Sequence, residues 1–189
     1  MKAAFIIFDG MTALDFIGFY DPITRLKSMQ IIDGFEWRVC SPDREVVDDR
    51  GLRLGADTVG GSLVGYDMIV VPGGFGTRKL QHDAAFMAWL KTACDVPRKI
   101  SVCTGALLLG AAGFLQGRRA TTHPSAYKEL EPYCATVVKE RVVDEGDVIT
   151  ARGVSSALDM GLHVVERLAG AAARDRVAVQ MDYPYRWNA

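Results

Sequence analysis

Cys103 is the residue of this sequence with the clearest capacity for covalent chemistry. It follows the apolar, strand-like Ile100-Ser101-Val102 and precedes Thr104-Gly105, which opens a helix-like run of small and apolar residues. A side chain at such a turn faces the free N–H groups of the first helical turn, where the helix dipole stabilises a thiolate. Because the thiolate is the nucleophilic form, we expect this position to lower the pKa of the thiol and activate it. The alternative interpretation is a small, inert, buried side chain.

A glycine-rich turn, Pro72-Gly73-Gly74-Phe75-Gly76, ends another strand-like run. Its spacing matches neither the dinucleotide-binding fingerprint nor the phosphate-binding loop, and by itself it indicates a sharp turn with positive φ. If this turn lies beside the cysteine turn, the N–H groups of Gly74 and Thr104 could hold an anion forming on a substrate. We expect Phe75 and the loop around Gly153 to form walls of the pocket.

The segment Thr12-Ala13-Leu14-Asp15 provides the candidate acid. It is typical of a helix start, with Thr12 as N-cap and Asp15 at N3 in a weak form of the capping box. A carboxyl beside a thiolate is also pushed towards its protonated form by desolvation and like-charge repulsion, so it can exchange a proton near neutral pH. One residue can do both, and the two interpretations stay open.

His123 is a further candidate for the rim of this site, because it follows the helix that begins after Cys103. His163 falls in a long helical pattern and His82 lies beside Asp83, so both are interpreted as structural or surface residues. The histidines and acids lack the spacing of a metal site. We therefore expect neither a metal nor an organic cofactor.

The elements that would position these residues alternate between strands and helices. Continuous apolar runs predict strands over residues 3–8, 35–40, 66–71 and 98–102, with helices over 84–94 and about 155–172. Pro22 is expected to bend or interrupt the helix that contains Asp15. A hairpin is predicted from 137–143 and 148–151. The alternation indicates an α/β doubly wound, mostly parallel sheet sandwiched by helices, in which ligands bind beyond the carboxyl ends of strands.

The length, charge and cysteine content of the sequence exclude several functional classes. The chain has 189 residues, 49% of them hydrophobic, and we expect one domain over 1–189. A net charge of −1 gives no reason to bind nucleic acid or an anionic membrane. The longest apolar run, 102–115, falls short of the ~18 residues expected of a membrane span. The four cysteines form no C-x-x-C pair and no export signal is evident, so a cytoplasmic protein with reduced thiols is expected.

Three segments together resemble the ThiJ/PfpI superfamily: Val71-Pro72-Gly73-Gly74-Phe75-Gly76, Ser101-Val102-Cys103-Thr104-Gly105-Ala106 and Arg119-Ala120-Thr121-Thr122-His123. The resemblance covers nearly the whole chain. It implies a flavodoxin-like α/β sandwich, related to class I glutamine amidotransferase domains and usually homodimeric, with its cysteine on the nucleophile elbow.

Within the superfamily, the sequence is most similar to isocyanide (isonitrile) hydratases, in residues 11–15, 103–105 and 177–183. This resemblance implies that Cys103 is the nucleophile, Asp15 the general acid/base and Thr104 a neighbour that orients the site. It also implies the activity of a hydro-lyase, which hydrates a small-molecule isocyanide to an N-substituted formamide through a covalent thioimidate.

Other branches of the superfamily remain as alternatives. The peptidase branch has His directly after the cysteine, whereas this chain has Thr104. Glyoxalases and deglycases, which act on methylglyoxal or its adducts, usually have Glu where this chain has Asp15. The sequence also resembles the amino-terminal domain of AraC-type regulators but has no basic recognition helix, so a cysteine redox sensor is the non-enzymatic alternative.

Overall fold

A computed structural model describes residues 1–184, so residues 185–189 of the expected domain lie outside the described residues. The strands are β1 (Lys2–Ile6), β2 (Glu36–Ser41), β3 (Glu45–Val47), β4 (Arg53–Gly55), β5 (Thr58–Val59), β6 (Met68–Val71), β7 (Arg98–Val102), β8 (Arg119–Ala120), β9 (Thr136–Val137), β10 (Val142–Asp144) and β11 (Val148–Ala151). The helices are α1 (Ala13–Ser28), α2 (Thr77–Leu80), α3 (Ala84–Lys91), α4 (Gly105–Ala111), α5 (Tyr127–Leu130), α6 (Ser156–Ala169) and α7 (Ala171–Gln180).

Seven strands form the central sheet in the order β10-β11-β7-β6-β1-β2-β5. Neighbouring strands are parallel, except that β10 pairs antiparallel with β11. All four residues of β6 are buried, as expected where helices cover both faces of a parallel sheet. The predicted α/β class is confirmed. From β1 the strand order runs to β2 on one side of the sheet, and from β6 it runs to β7 on the other side. This reversal between β1 and β6 leaves a crevice at the carboxyl ends of these two strands.

Helix α1 packs against α6 through two glycines. A Cβ on Gly161 would lie 2.3 Å from the Cγ atom of Pro22, and a Cβ on Gly18 would lie 2.8 Å from the Cβ of Ala157. Of the two expected effects of Pro22, an interruption is wrong, because α1 continues through it from Ala13 to Ser28, and a bend stays a prediction. The proline ring fills the space that Gly161 leaves open, and this packing offsets the hydrogen bond that proline cannot donate.

The last long helix and the two hairpins also differ from the sequence predictions. The predicted helix over 155–172 ends at Ala169, because Gly170 has a φ of 85° and separates α6 from α7. The predicted hairpin is confirmed as β10 and β11, but Val137 pairs with Ala120 in a separate small sheet. A second hairpin, β3 with β4, was not predicted.

Within residues 1–184, none of the helices has both the length and the apolar character needed to cross a membrane.

Candidate active site

Cys103 lies on a sharp elbow between β7 and α4. Its φ of 56° falls in the left-handed region, which is uncommon for a residue other than glycine. Two hydrogen bonds hold this backbone in place. The Cys103 N–H donates to the Ala151 carbonyl at 2.9 Å, and the Thr122 hydroxyl donates to the Cys103 carbonyl at 2.9 Å. Gly105 lets the start of α4 approach β6 closely, because a Cβ there would lie 2.2 Å from the Val71 carbonyl oxygen.

Asp15 is fully buried in the first turn of α1 and faces the cysteine elbow. Its Oδ2 accepts a hydrogen bond from the Gly73 N–H at 2.9 Å, whereas Oδ1 has no hydrogen-bond partner among the described residues. A Cβ on Gly73 would lie 2.8 Å from both Asp15 Oδ2 and the Cys103 Cβ. The absence of a side chain at residue 73 therefore lets the three segments after β1, β6 and β7 meet.

The expected capping box at the start of α1 is not formed. Thr12 occupies the N-cap position but makes no side-chain cap hydrogen bond. Its hydroxyl donates instead to Asp49 Oδ2 at 2.8 Å, which ties the helix to the turn between β3 and β4. Because Asp15 accepts from Gly73 rather than from its own helix, its carboxyl is directed into the protein.

Burial raises the pKa of the Cys103 thiol to about 12, and the neighbouring Asp15 charge acts in the same direction. A hydrogen bond from the Thr104 N–H to the sulfur opposes this shift but is outweighed. The sequence-based expectation of a lowered thiol pKa is therefore wrong, since removal of the sulfur from water exceeds the effect of the helix N-terminus.

The same burial raises the pKa of Asp15 to about 7, although the Gly73 N–H bond opposes the shift. The raised carboxyl pKa agrees with the sequence-based expectation. At neutral pH the thiol is therefore protonated, while the adjacent carboxyl is close to the midpoint of its titration. Such a carboxyl can both accept and return a proton.

The hydroxyl of Thr104 holds the glycine turn against the cysteine elbow. Thr104 Oγ1 accepts from the Gly74 N–H at 2.9 Å and donates to the Gly74 carbonyl at 3.1 Å. The structure differs here from the expectation that the Gly74 N–H faces a substrate, because this donor is already engaged. Gly74 itself is required by close approach, since its φ is 128° and a Cβ would lie 2.4 Å from the Gly10 carbonyl oxygen.

A cavity of about 210 Å³ opens above the cysteine. The residues singled out from the sequence that line it are Cys103, Thr104, Thr12, Gly74, Phe75 and His123. The Phe75 side chain is 76% exposed, and His123 Nδ1 is hydrogen-bonded to Ser125 Oγ at 2.8 Å. Gly153 does not line the cavity, although its neighbour Val154 does. The Gly153 N–H instead donates to Ser156 Oγ at 2.8 Å.

Three charged residues at the cavity were missed by the sequence analysis. Asp49 and Arg50 come from the turn between β3 and β4, and Arg78 comes from α2. The segment Asp48-Asp49-Arg50-Gly51 between two β-prone stretches is itself a hairpin signal that could have found the first two. Arg78 follows the glycine turn without a distinguishing motif.

In the part of the chain that the structure describes, no group of three or more His, Cys, Asp or Glu side chains is placed to hold a metal ion. This arrangement places a thiol at a small cavity, with a fully buried carboxyl beside the sulfur that does not itself line the cavity. An elbow cysteine at the carboxyl edge of a parallel sheet defines a class of α/β proteins with a candidate nucleophile.

Residues 1–167 match the DJ-1/PfpI family, and the chain belongs to this family. It is 35% identical over 185 residues to an isonitrile hydratase from Pseudomonas putida, which covers 97% of this chain and 78% of that protein. It is 28% identical to protein DJ-1alpha from Drosophila melanogaster, over 98% of this chain and 85% of that protein. A ThiJ/PfpI family protein from Pseudomonas syringae superposes with a TM-score of 0.88 at 28% identity, covering 98% of this chain and 76% of the other. The family therefore includes a hydratase as well as DJ-1 proteins.

Proposed function

We propose that this protein hydrates isocyanides to N-substituted formamides, with Cys103 as nucleophile and Asp15 as general acid/base. The observation that carries the proposal is the fully buried Asp15 carboxyl, whose Oδ1 has no hydrogen-bond partner among the described residues, beside a cysteine that opens to a cavity. The similarity to an isonitrile hydratase over 97% of the chain supports the same reaction.

The first half of the reaction forms the covalent intermediate. The ionised Asp15 carboxylate accepts the proton of the Cys103 thiol as the sulfur attacks the terminal carbon of R–N≡C. The C–S bond forms, and one carbon–nitrogen π bond becomes a lone pair on nitrogen while the carbon keeps its own. Asp15 then returns the proton to this carbon and gives the thioimidate R–N=CH–S–Cys103. A pKa of about 7 suits both transfers near neutral pH.

The second half adds water and regenerates the thiol. Water attacks the thioimidate carbon while Asp15 takes one of its protons and delivers it to nitrogen. The resulting R–NH–CH(OH)–S–Cys103 collapses when Asp15 takes the hydroxyl proton and the C–S bond breaks. Its products are R–NH–CHO and, after Asp15 returns the proton to sulfur, the Cys103 thiol. One water is consumed, and no oxidant, reductant or cofactor is required.

Thr104 has a positioning role in this proposal. Its hydroxyl fastens Gly74 to the cysteine elbow, which keeps the glycine turn and Asp15 in register with the sulfur. Its N–H already interacts with the sulfur, so it is the backbone donor nearest to the reacting carbon. Phe75 and His123 line the space for the substrate substituent.

We further propose that the protein acts as a cytoplasmic homodimer.

The test is formamide production from one alkyl and one aryl isocyanide, followed through the formyl proton by NMR. We expect turnover by the wild type, its loss in Cys103→Ala and a strong reduction in Asp15→Asn. Cys40→Ala is the matched control, because Cys40 is also buried but lies outside the cavity. Retention of turnover in Cys103→Ala, or absence of formamide with both compounds, would overturn the proposal.

The same preparations separate the alternatives. Lactate formed from methylglyoxal would indicate a glyoxalase. Rapid oxidation of Cys103 by peroxide without turnover of either compound would indicate a redox sensor. A protonated, buried thiol favours turnover over sensing, because oxidation by peroxide follows thiolate character and exposure.

A further inference from the structure

Two guanidinium groups line the cavity above Cys103 and retain unused hydrogen-bond donors. Arg50 Nη1 donates to Asp49 Oδ1 at 2.7 Å, and its Nε and Nη2 have no hydrogen-bond partner within residues 1–184. Arg78 donates from Nε and Nη2 to one oxygen of Glu129, at 3.3 and 2.9 Å, which leaves Nη1 without a partner in the same part of the chain. Both ion pairs therefore hold an arginine at the cavity without using all of its donors.

The charges of the cavity wall favour an anion. Among the described residues that line the cavity, Asp49 is the one acid that opposes Arg50 and Arg78, while Glu129 pairs with Arg78 from outside the lining. Both carboxylate oxygens of Asp49 are engaged, Oδ1 by Arg50 and Oδ2 by the Thr12 hydroxyl. The Arg50 side chain is 72% exposed, whereas that of Asp49 is 7% exposed. An entering ligand therefore meets the guanidinium before the carboxylate.

The floor of the cavity has the opposite character. Cys103 lines the cavity, and Asp15 lies beside it without lining the cavity. Both side chains are buried, and burial penalises any further charge beside them. A group that reacts there should be uncharged, as an isocyanide carbon is. The site thus favours a neutral reacting group next to Cys103 and a negatively charged substituent next to Arg50 and Arg78.

We propose that the substrate carries a carboxylate, which Arg50 and Arg78 bind while the isocyanide carbon lies against Cys103. This inference rests on the hydration proposed above. Guanidinium groups suit a carboxylate because its two oxygens accept paired hydrogen bonds in a plane. A cavity of about 210 Å³ restricts the substrate to a compact molecule.

The test compares 4-isocyanobenzoate with its methyl ester, which differ in charge at the group that the arginines would bind. We expect the wild type to prefer the acid in kcat/KM by about ten-fold or more, through a lower KM. Arg50→Gln and Arg78→Gln should each reduce this preference, and the double variant should abolish it. Arg78→Lys should restore part of it, because the positive charge returns.

Arg44→Gln is the matched control, since Arg44 is exposed on the same hairpin segment but does not line the cavity. Its acid-to-ester preference should equal that of the wild type. Thermal melting checks that loss of the Arg78–Glu129 pair leaves the variants folded. A wild type that treats acid and ester alike, or a double variant that keeps the preference, would overturn the inference while leaving hydration intact.

A binding experiment covers the case in which neither isocyanide is hydrated and the proposed function fails. The product analogue 4-formamidobenzoate should then still protect Cys103 from iodoacetamide, and its methyl ester should protect much less. Protection by the acid should be lost in the Arg50→Gln, Arg78→Gln double variant. Equal protection by acid and ester, or none by either, would contradict carboxylate binding.

Discussion

Cys40 and Cys103 show why burial does not by itself make a reactive thiol. Cys40 lies near the end of parallel strand β2, and Cys103 directly follows parallel strand β7. They are buried at 1% and 5% exposure, and burial raises the pKa of both thiols. Cys40 stays within β2 and its sulfur lies 3.4 Å from the Tyr66 hydroxyl. Cys103 instead has left-handed backbone and opens to the cavity.

The proton acceptors beside the two sulfurs complete the contrast. Burial raises the pKa of Tyr66 to about 12, so its hydroxyl is protonated at neutral pH and cannot act as a base for Cys40. Burial raises the pKa of Asp15 to about 7, so a carboxylate is present beside Cys103 at neutral pH as a candidate proton acceptor. The comparison shows that the direction of the thiol pKa does not distinguish Cys103 from Cys40, whereas access to the cavity and a neighbouring carboxyl do.

The largest expected difference is in alkylation of the native protein. We expect iodoacetamide to modify Cys103 about 1,000-fold faster than Cys40, because Cys40 becomes accessible only through local unfolding. Peptide mass spectrometry over time measures both rates, with the exposed Cys94 as an internal reference. Similar rates for Cys40 and Cys103 would remove the basis of the comparison.

The second effect is on pH dependence, which reports the proton acceptor. In the proposed mechanism the Asp15 carboxylate takes the thiol proton, so the rate of formamide release should rise through about pH 7 and then level off. Asp15→Asn should lower the rate by about 100-fold and remove this step from the profile. Initial rates between about pH 5 and pH 9 measure it. A variant that keeps the wild-type profile would show that another group is the base.

A smaller effect tests the positioning of the elbow. Thr104→Val removes the hydroxyl that bonds both the Gly74 N–H and the Gly74 carbonyl, so we expect about a ten-fold loss in kcat. Thr77→Val is the matched control, because the Thr77 hydroxyl also donates to the Gly74 carbonyl but lies outside the cavity lining. Steady-state kinetics of both variants show whether the loss in kcat is specific to Thr104 or follows from removing any buried hydroxyl that bonds Gly74. Equal losses would mean that Thr104 acts on stability alone.

The smallest effect is on stability, and it has a definite sign. The folded-state pKa of Asp15, about 7, lies above its ordinary value of 3.8, so the folded protein holds this proton more tightly than the unfolded chain. Its stabilising contribution is complete below about pH 4 and is lost as pH rises to about 7. Asp15→Asn, which stays uncharged, should therefore raise the free energy of unfolding by about 1 to 2 kcal/mol at pH ~8.

Urea unfolding at about pH 5 and pH 8 measures this change, which should shrink at the lower pH. Asp21→Asn on the same helix is the control, because Asp21 is exposed in an ion pair with Arg25. Its effect should be small and similar at both values. Destabilisation by Asp15→Asn at pH ~8 would show that the ionised carboxyl is better accommodated than its raised pKa indicates.

Much of the fold could be predicted because its signals are local. The strand over Arg98–Val102 has the predicted bounds, and the buried runs of β1 and β6 were found within two residues at each end. The prediction that Pro22 bends or interrupts α1 came from local propensity. Local propensity takes no account of the packing against Gly161 that keeps the helix continuous. The β3–β4 hairpin was missed since its strands are short and only partly buried, so their apolar pattern is weak.

The sequence by itself determined the α/β class and indicated the elbow at Cys103, because these depend on neighbouring residues and on motif spacing. It singled out Asp15 as a candidate acid, and that role stays a prediction. Only the tertiary structure decided the direction of the Cys103 pKa, the engagement of Gly74 by Thr104 and the meeting of Arg50 with Arg78 at one cavity. The physical reason is that desolvation and hydrogen-bond satisfaction depend on which distant segments converge. That convergence is a property of the packed chain and not of any stretch within it.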